Sequence, residues 1–556
     1  MSESPAQDSK PSPISEASVQ DETHVVSPNA EHPSCGPASD EVDLVIAWVA
    51  PVGTEVQGYA DYLAELLAKP EYCFVVTQYK VIEEIKKQCV SELEEFPHLN
   101  STDYYRTTKD RQRAGDWLRE KTHPGFLAAP IIAHVSDYRI NNSDVKRRAH
   151  IVRSLKHPAE AVALRRAYGP AFILIGAHST YSDRLALLKR KCNGSSDHAH
   201  ELISIDADEG VEHGQHTRDL FELCDAYIHH TTEGQSRDAK AQLHKIFDLL
   251  FGAVNIAPTV EEYGMSVAFR TAEQSGDLAR QVGAAILNIE GEVLATGRND
   301  VPRAHGGVYR VGNDKYDGSD MALGYDPGQK YRDQLTSQVV NDICDSRIGK
   351  KHKLAKIKEP LKEIVKKTKL KNLIEYGRSI HAEMDAVTTC ARRGIKIAGA
   401  QVFVTTYPCH TCARHLIACG ISKVVYLEPY PKSLALGLHA DSIDSPFISE
   451  ESLNLLSDEN LATDPDVKKV PFIPFVGMSP NRYTACFGLK TIEGESLQRK
   501  AKDGTAITHV GIDSKGRHNL RVPPRNEGLF TRESIVTQEL VKKANKKVLE
   551  SPKDTI

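Results

Sequence analysis

The sequence predicts an α/β protein of two folded units flanked by tails. Three observations carry that prediction. At 556 residues the chain exceeds what one hydrophobic core usually serves. Apolar runs of strand length alternate with helix-like stretches through the first half, the rhythm of a mostly parallel sheet covered on both faces. A second pattern then begins past Phe251-Gly252, built around one histidine and a close cysteine pair. The divisions expected are a disordered tail at 1–40, a first unit at 41–255, a second at 256–490 with an insertion at 308–376, and a tail at 491–556.

Residues 1–40 are rich in Ser, Pro, Glu and Asp without an apolar period, which is why no packed structure is expected there. Val42-Asp43-Leu44-Val45-Ile46-Ala47-Trp48-Val49 is an apolar run of strand length, and Pro51-Val52-Gly53-Thr54 is a turn leading into a helix. Strand, glycine turn and helix is the setting of a phosphate-binding loop, so Gly53 and Thr54 are candidate nucleotide-binding residues. The loop's consensus fails, because Trp48 takes the first glycine position and Thr54 the lysine position. A structural or nucleotide-sensing role and phosphotransfer both stay open, the missing charge weighing against the second.

Further strands are expected at Ala128–Val135, Phe172–Ile175, Leu202–Ile205 and Ala226–Ile228, and a helix from Pro158 to Tyr168 stopped by Gly169-Pro170. Arg106, Arg111, Arg113, Arg119, Arg153, Arg165, Arg166 and Arg184 could include a phosphate site, although single arginines more often sit on solvated faces. His229 and His230 stand without other ligands at metal spacing and are taken as structural.

In the second unit a helix from Tyr263 precedes a hairpin, Gln281–Leu287 and Val293–Gly297 around Glu290-Gly291-Glu292. The return strand delivers Arg298-Asn299-Asp300 to a loop. Lys350 to Lys371 holds ten lysines against Glu359 and Glu363, a solvated face or a contact for nucleic acid. Helices are expected from His381 and from Cys409, strands at Gln401–Thr405 and Lys423–Leu427, an extended segment at Val470–Phe475, and a loose polar tail with one short helix after Leu489.

The chemistry-bearing stretch is Ser379-Ile380-His381-Ala382-Glu383-Met384 followed by Pro408-Cys409-His410-Thr411-Cys412. One histidine, a glutamate two residues on and a later P-C-x-x-C form the signature of zinc-dependent nucleobase deaminases. His381, Cys409 and Cys412 supply three metal ligands, which leaves a tetrahedral zinc one open position, the mark of a catalytic site. Glu383 is then the general acid/base. A purely structural zinc knuckle would need a fourth ligand from His410, His415, Cys390 or Cys419 and would leave Glu383 unexplained.

Residues 263 to about 430 resemble the deoxycytidylate deaminase branch of the cytidine deaminase superfamily, through Arg280-Gln281-Val282-Gly283-Ala284, Thr296-Gly297-Arg298-Asn299, His381-Ala382-Glu383 and Pro408-Cys409-His410-Thr411-Cys412. The resemblance implies a cytidine-deaminase-like α/β/α domain and a sugar contact at Asn299. It also places Ala382 and Tyr407 beside the substrate, where Tyr407 either flanks the base or packs. The whole arrangement, a P-loop kinase-like half before such a deaminase, is similar to bacterial antiphage dCTP deaminases, with weaker support from Pro51-Val52-Gly53-Thr54 and Tyr430-Pro431-Lys432-Ser433-Leu434-Ala435. That implies conversion of dCTP, and of dCMP, to deoxyuridine nucleotides, depleting the dCTP pool a phage needs. Deamination of a base in RNA or DNA, and an amino-terminal NTPase or kinase with the deaminase fold as sensor, are the competing functions. Homo-oligomerisation and a regulatory nucleotide or RNA are the expected partners beyond the substrate.

A net charge of −5 gives no global reason for nucleic-acid binding. The start, Met1-Ser2-Glu3-Ser4-Pro5, lacks a basic-then-apolar pattern, and no apolar run approaches the roughly 20 residues that cross a bilayer. The eleven cysteines are scattered apart from one close pair, which favours metal ligation in a reducing cytoplasm over disulfides.

Overall fold

The computed structural model describes residues 41–88, 95–207, 217–230, 236–310, 316–347, 360–365, 376–430, 433–447, 468–491 and 494–550. The tail at 1–40, most of the Lys350–Lys371 run and Pro431-Lys432 lie outside the described residues.

Five strands build the first sheet: β1 (Val42–Val49), β2 (Val75–Lys80), β3 (Arg147–Arg153), β4 (Phe172–Ser179) and β5 (Ala226–His230). They lie in the order β2-β3-β1-β4-β5, all parallel. Every residue of β1 is buried, as a strand with both faces covered requires.

The second sheet contains β6 (Gly283–Leu287), β7 (Val293–Arg298), β8 (Gln401–Thr406), β9 (Lys423–Glu428), β10 (Ile443–Asp444) and β11 (Val470–Pro474), in the order β7-β6-β8-β9-β11-β10. The hairpin β6–β7 and the pair β6–β8 are antiparallel, and the remaining pairs are parallel. A last strand, β12 (Gly477–Met478), crosses back and pairs antiparallel with β5, capping the edge of the first sheet. The fold is thus mixed α/β with two parallel-rich sheets.

Two expected strands are helical. Ala128–Val135 opens the helix Ala128–Asn141, and Leu202–Ile205 lies within the helix Ser196–Ala207. In the first, Ala128, Ile131, Ile132, Val135 and Arg139 are buried, which is the spacing of one helix face. A short apolar run carries no period of its own, and Pro130 is tolerated in a first turn where its missing N–H has no intrahelical acceptor. Two of the five parallel strands of the first sheet were missed, as were the two-residue strands β10 and β12. β2 is an edge strand, and β3 reads Arg-Arg-Ala-His-Ile-Val-Arg, whose charge conceals that it is central. Arg148 is buried there because Asp43 on β1 accepts its Nε hydrogen bond at 2.6 Å. Against burial, which would raise it, His150, Arg148 and Arg139 hold the Asp43 carboxyl far below the usual carboxylate range.

The segment after Leu489, expected to be loose, is packed. Three short hairpins bridge Lys490 to Ser496, Lys500 to Ala506 and Ile512 to His518. The helix Leu529–Glu550 follows and lays Val536 and Leu540 into the main core. Glu533 takes a two-pronged hydrogen bond from Arg139 at 2.9 and 2.7 Å, while Arg139 Nε reaches Asp43 at 2.6 Å. Polarity alone suggested a tail because the buried partner of Glu533 is 394 residues away in sequence.

The two sheets share one apolar core. Val45, Ala47, Leu174 and Tyr227 of the first unit cluster with Ala268, Ala285, Leu287, Phe403 and Phe475 of the second. Among the described residues no helix is long and apolar enough to cross a membrane.

Candidate active site

The site is assembled at the carboxyl ends of β7 and β8 and the amino ends of two helices. His381 is the N-cap of the helix Ala382–Arg393, and Cys409 is the N-cap of the helix His410–Ala418, its Sγ accepting from the Cys412 amide at 3.5 Å. Backbone hydrogen bonds between Ile380 and Asp300 (2.9 and 3.3 Å) fix the approach to His381. Gly297 on β7 lets the first helix close on the sheet, since a Cβ there would stand 2.2 Å from the Ala382 carbonyl oxygen. The Arg298 amide also donates to Asp385 Oδ2 at 3.1 Å, which ties that helix to the strand.

One nitrogen of His381 and the two cysteine sulfurs lie within 4.8 Å of one another. His381 Nδ1 is 3.3 Å from Cys409 Sγ and 3.4 Å from Cys412 Sγ. Bonds of about 2.3 Å to sulfur and about 2.0 Å to nitrogen at a tetrahedral angle would set such atoms roughly 3.5 Å apart, so the donor set fits zinc. Cys409 is drawn down to about 4, first by its hydrogen bond from Cys412 and then, against burial, by His381, so the thiolate is favoured at neutral pH. Glu383 is almost wholly buried, and its carboxyl is raised by that burial against the pull of His381.

A cleft of about 410 Å³ opens beside these groups. Its walls include His381, Ala382, Glu383, Tyr407, Cys409 and Asn299, so the predicted site residues of the second unit converge there, Cys412 lying behind the wall. Asn299 is heavily engaged by its own chain: its Oδ1 accepts from the Val282 amide at 2.7 Å and its Nδ2 donates to the Arg280 carbonyl at 2.6 Å. Tyr407 meets Tyr426 edge-on at 4.9 Å between ring centres and also packs on Phe472, so it both lines the cleft and belongs to the core.

Sequence reasoning missed Arg332 and Arg378 in the wall. Asp326 accepts from Arg332 at 3.2 Å and Asp320 from Arg378 at 2.6 Å. Arg378 stands three residues before His381, and that proximity was the available signal. Arg332 projects from the helix Pro327–Arg347 inside the insertion, where spacing carries no hint of the cleft.

Gly53 and Thr54 are elsewhere, at the carboxyl end of β1. Gly53 has φ +85°, and a Cβ on it would stand 2.9 Å from the Arg184 carbonyl oxygen. Asp206 Oδ2 accepts from the Val52 amide of this turn at 2.7 Å, and Lys156 Nζ bridges Asp206 Oδ1 at 2.7 Å and the Ala50 carbonyl at 2.9 Å. Of the arginines weighed as solvated, Arg119 is buried against Glu160 at 2.9 Å, and Arg165 pairs with Asp225 at 3.0 Å.

Residues 258–428 match the family model described as the cytidine and deoxycytidylate deaminase zinc-binding region. Zinc is the cofactor this deaminase region and its His/Cys/Cys donor set call for. Over 54 residues the chain is 45% identical to ComE operon protein 2 of Bacillus subtilis (strain 168), covering 10% of this chain and 29% of that protein. The deoxycytidylate deaminase of Enterobacteria phage T2 is 46% identical over 54 residues, again 10% and 29%. The deoxycytidylate deaminase of Mus musculus is 24% identical over 167 residues, 30% of this chain and 64% of that one. The chain thus spans less than two thirds of the length of these relatives. Among solved structures, the apo dCMP deaminase of cyanophage S-TIM5 is similar at 15% identity, covering 39% of this chain and 99% of that chain, with a TM-score of 0.20.

Proposed function

We propose that the chain is a zinc-dependent hydrolase that deaminates deoxycytidine nucleotides, dCTP and dCMP, to the deoxyuridine nucleotides. The observation that carries this reading is Glu383, buried in the cleft wall beside three zinc-type donors. His381, Cys409 and Cys412 would hold the metal, whose chemistry when bound is to lower the pKa of water toward about 7. Glu383 takes the proton of the water that adds to the amine-bearing ring carbon. It delivers that proton to the adjacent ring nitrogen, and the carboxyl then serves the departing ammonia. A carboxyl raised by burial suits a group that must both accept and return a proton. Asn299, Ala382 and Tyr407 would border the sugar and base, and Arg280, Arg332 and Arg378 offer cations to the phosphates.

Preference for dCTP, with depletion of that pool as antiphage defence in the cytoplasm, rests on the resemblance to antiphage dCTP deaminases. The strand order of the first sheet and the Gly53 turn support a kinase-like amino-terminal unit, with Thr54 in place of the lysine turning it toward sensing a nucleotide. Assembly into a homo-oligomer and control by a nucleotide or an RNA complete the reading. The test is incubation of purified protein with dCTP, dCMP and a cytosine-containing oligonucleotide. Deoxyuridine nucleotide from the free nucleotides is expected, and uracil appearing only in the oligonucleotide would overturn the proposal.

A further inference from the structure

Arg280 stands in the cleft wall, yet its anionic neighbours come from both units. Its Nη2 hydrogen-bonds Glu428 Oε2 and lies 3.4 Å from Thr406 Oγ1. Glu222 Oε1 is 3.7 Å from the same nitrogen. Glu428 ends β9 in the deaminase segment, whereas Glu222 follows the short helix Thr217–Phe221 of the first unit. Leu220 and Phe221 are buried in the shared core, so the backbone that carries Glu222 is anchored rather than loose.

We propose that Glu222 is a positioning residue for Arg280, so that the amino-terminal unit helps to set the cleft's affinity for the phosphate of its substrate. The proposal rests on the nucleotide-deaminase reading above. One cation here faces two carboxyl groups, and two like charges converging on it favour a proton held between them. Burial first, and then Glu222, push the Glu428 carboxyl up to about 7 against the pull of Arg280. With that proton the cluster is neutral; without it the cluster carries one net negative charge beside the cleft. A phosphate drawn to Arg280 therefore favours the protonated pair.

The other groups facing the cluster leave this balance intact. On the cleft side, Asp277 accepts from the Ala279 and Arg280 amides, and Tyr430 is raised by burial. On the other side, Tyr227 and Cys224 are raised by burial and stay protonated, and Asp225 is taken up by Arg165 and Arg482.

The experiment compares the full chain with Glu222→Gln and Glu222→Ala, measuring KM and kcat for dCMP and for deoxycytidine on either side of pH 7. In the wild type, KM for dCMP is expected to rise as pH passes about 7, with a limiting slope of about tenfold per pH unit for one proton. In Glu222→Gln, Glu428 faces Arg280 alone, so that slope should vanish with kcat unchanged. Deoxycytidine, which lacks the phosphate, should show no such slope in either protein. The phosphate's own ionisation near about 6 is common to both proteins and cancels in the comparison. Calorimetry of dUMP binding in buffers of differing ionisation enthalpy should find more proton uptake in the wild type than in Glu222→Gln, the difference reporting the carboxyl pair. A slope and proton uptake that persist undiminished in Glu222→Gln, or equal KM changes for deoxycytidine, would overturn the proposal while leaving the deaminase reading standing. A wild type that neither turns over these substrates nor binds dUMP would remove both.

Discussion

Glu383 and the proposed metal ligands beside it are separable by substitution. Glu383→Ala removes the proposed proton carrier but none of the proposed zinc ligands, so the variant should keep its metal and lose about 10² to 10⁴ in kcat. Elemental analysis beside steady-state rates checks this, and a wild-type rate would refute the assignment. Cys409→Ser should behave differently, losing metal and thermal stability together, because the ligands cap two helices that the metal would join. Full zinc occupancy in that variant would count against the ligand set. These residues were legible in the sequence because they are local: a histidine and a glutamate two apart, and two cysteines three apart. Glu428 and Glu222 were not legible, since their meaning lies in Arg280, which is 148 residues from Glu428. No spacing rule reaches that far.

At the scale of elements, the second half was read more fully than the half before it. Its hairpin, its ligand-bearing helices and the strands β8 and β9 each carry a local signal: a glycine turn, an apolar run, a capping residue. In the first half β3 hid behind its arginines, and the apolar run at 128–135 was ambiguous because helix and buried strand look alike over eight residues. Gly297 offers a test of how closely an element must dock. Gly297→Ala forces a Cβ against the Ala382 carbonyl and the Ala386 amide, at 2.2 and 2.3 Å. Both are backbone atoms of the helix that carries Glu383. A loss of at least about 1–3 kcal/mol is expected by denaturant titration, with a larger fall in activity than in fold. Full activity in the variant would show that the helix can shift without disturbing the site.

Across the whole molecule, the expected division near residue 255 describes composition better than it describes packing. The two sheets bury a common core, β12 joins the first sheet from the second half, and the last helix clamps Arg139. None of this was legible, because a two-residue strand has no pattern and a buried ion pair has no spacing. Glu533→Ala should therefore destabilise the amino-terminal unit from the far end of the chain. Removing one partner of a buried pair costs about 3–5 kcal/mol, here softened by Asp43, which still accepts from Arg139. Urea unfolding followed by Trp48 and Trp117 fluorescence would register the change, and an unaltered midpoint would show that the pair contributes little.

The strand β12 also sets a timetable for synthesis. The ribosome finishes β5 at His230, but the residues that cover its edge, Gly477 and Met478, arrive about 250 residues later. At about 5–20 residues per second the nascent first sheet waits roughly 12–50 seconds with an open edge. Glu533 arrives later still, so Arg139 waits longer for that partner. Chaperone demand should therefore fall on the growing chain more than on the finished protein, and the first unit is completed only as the last helix leaves the exit tunnel.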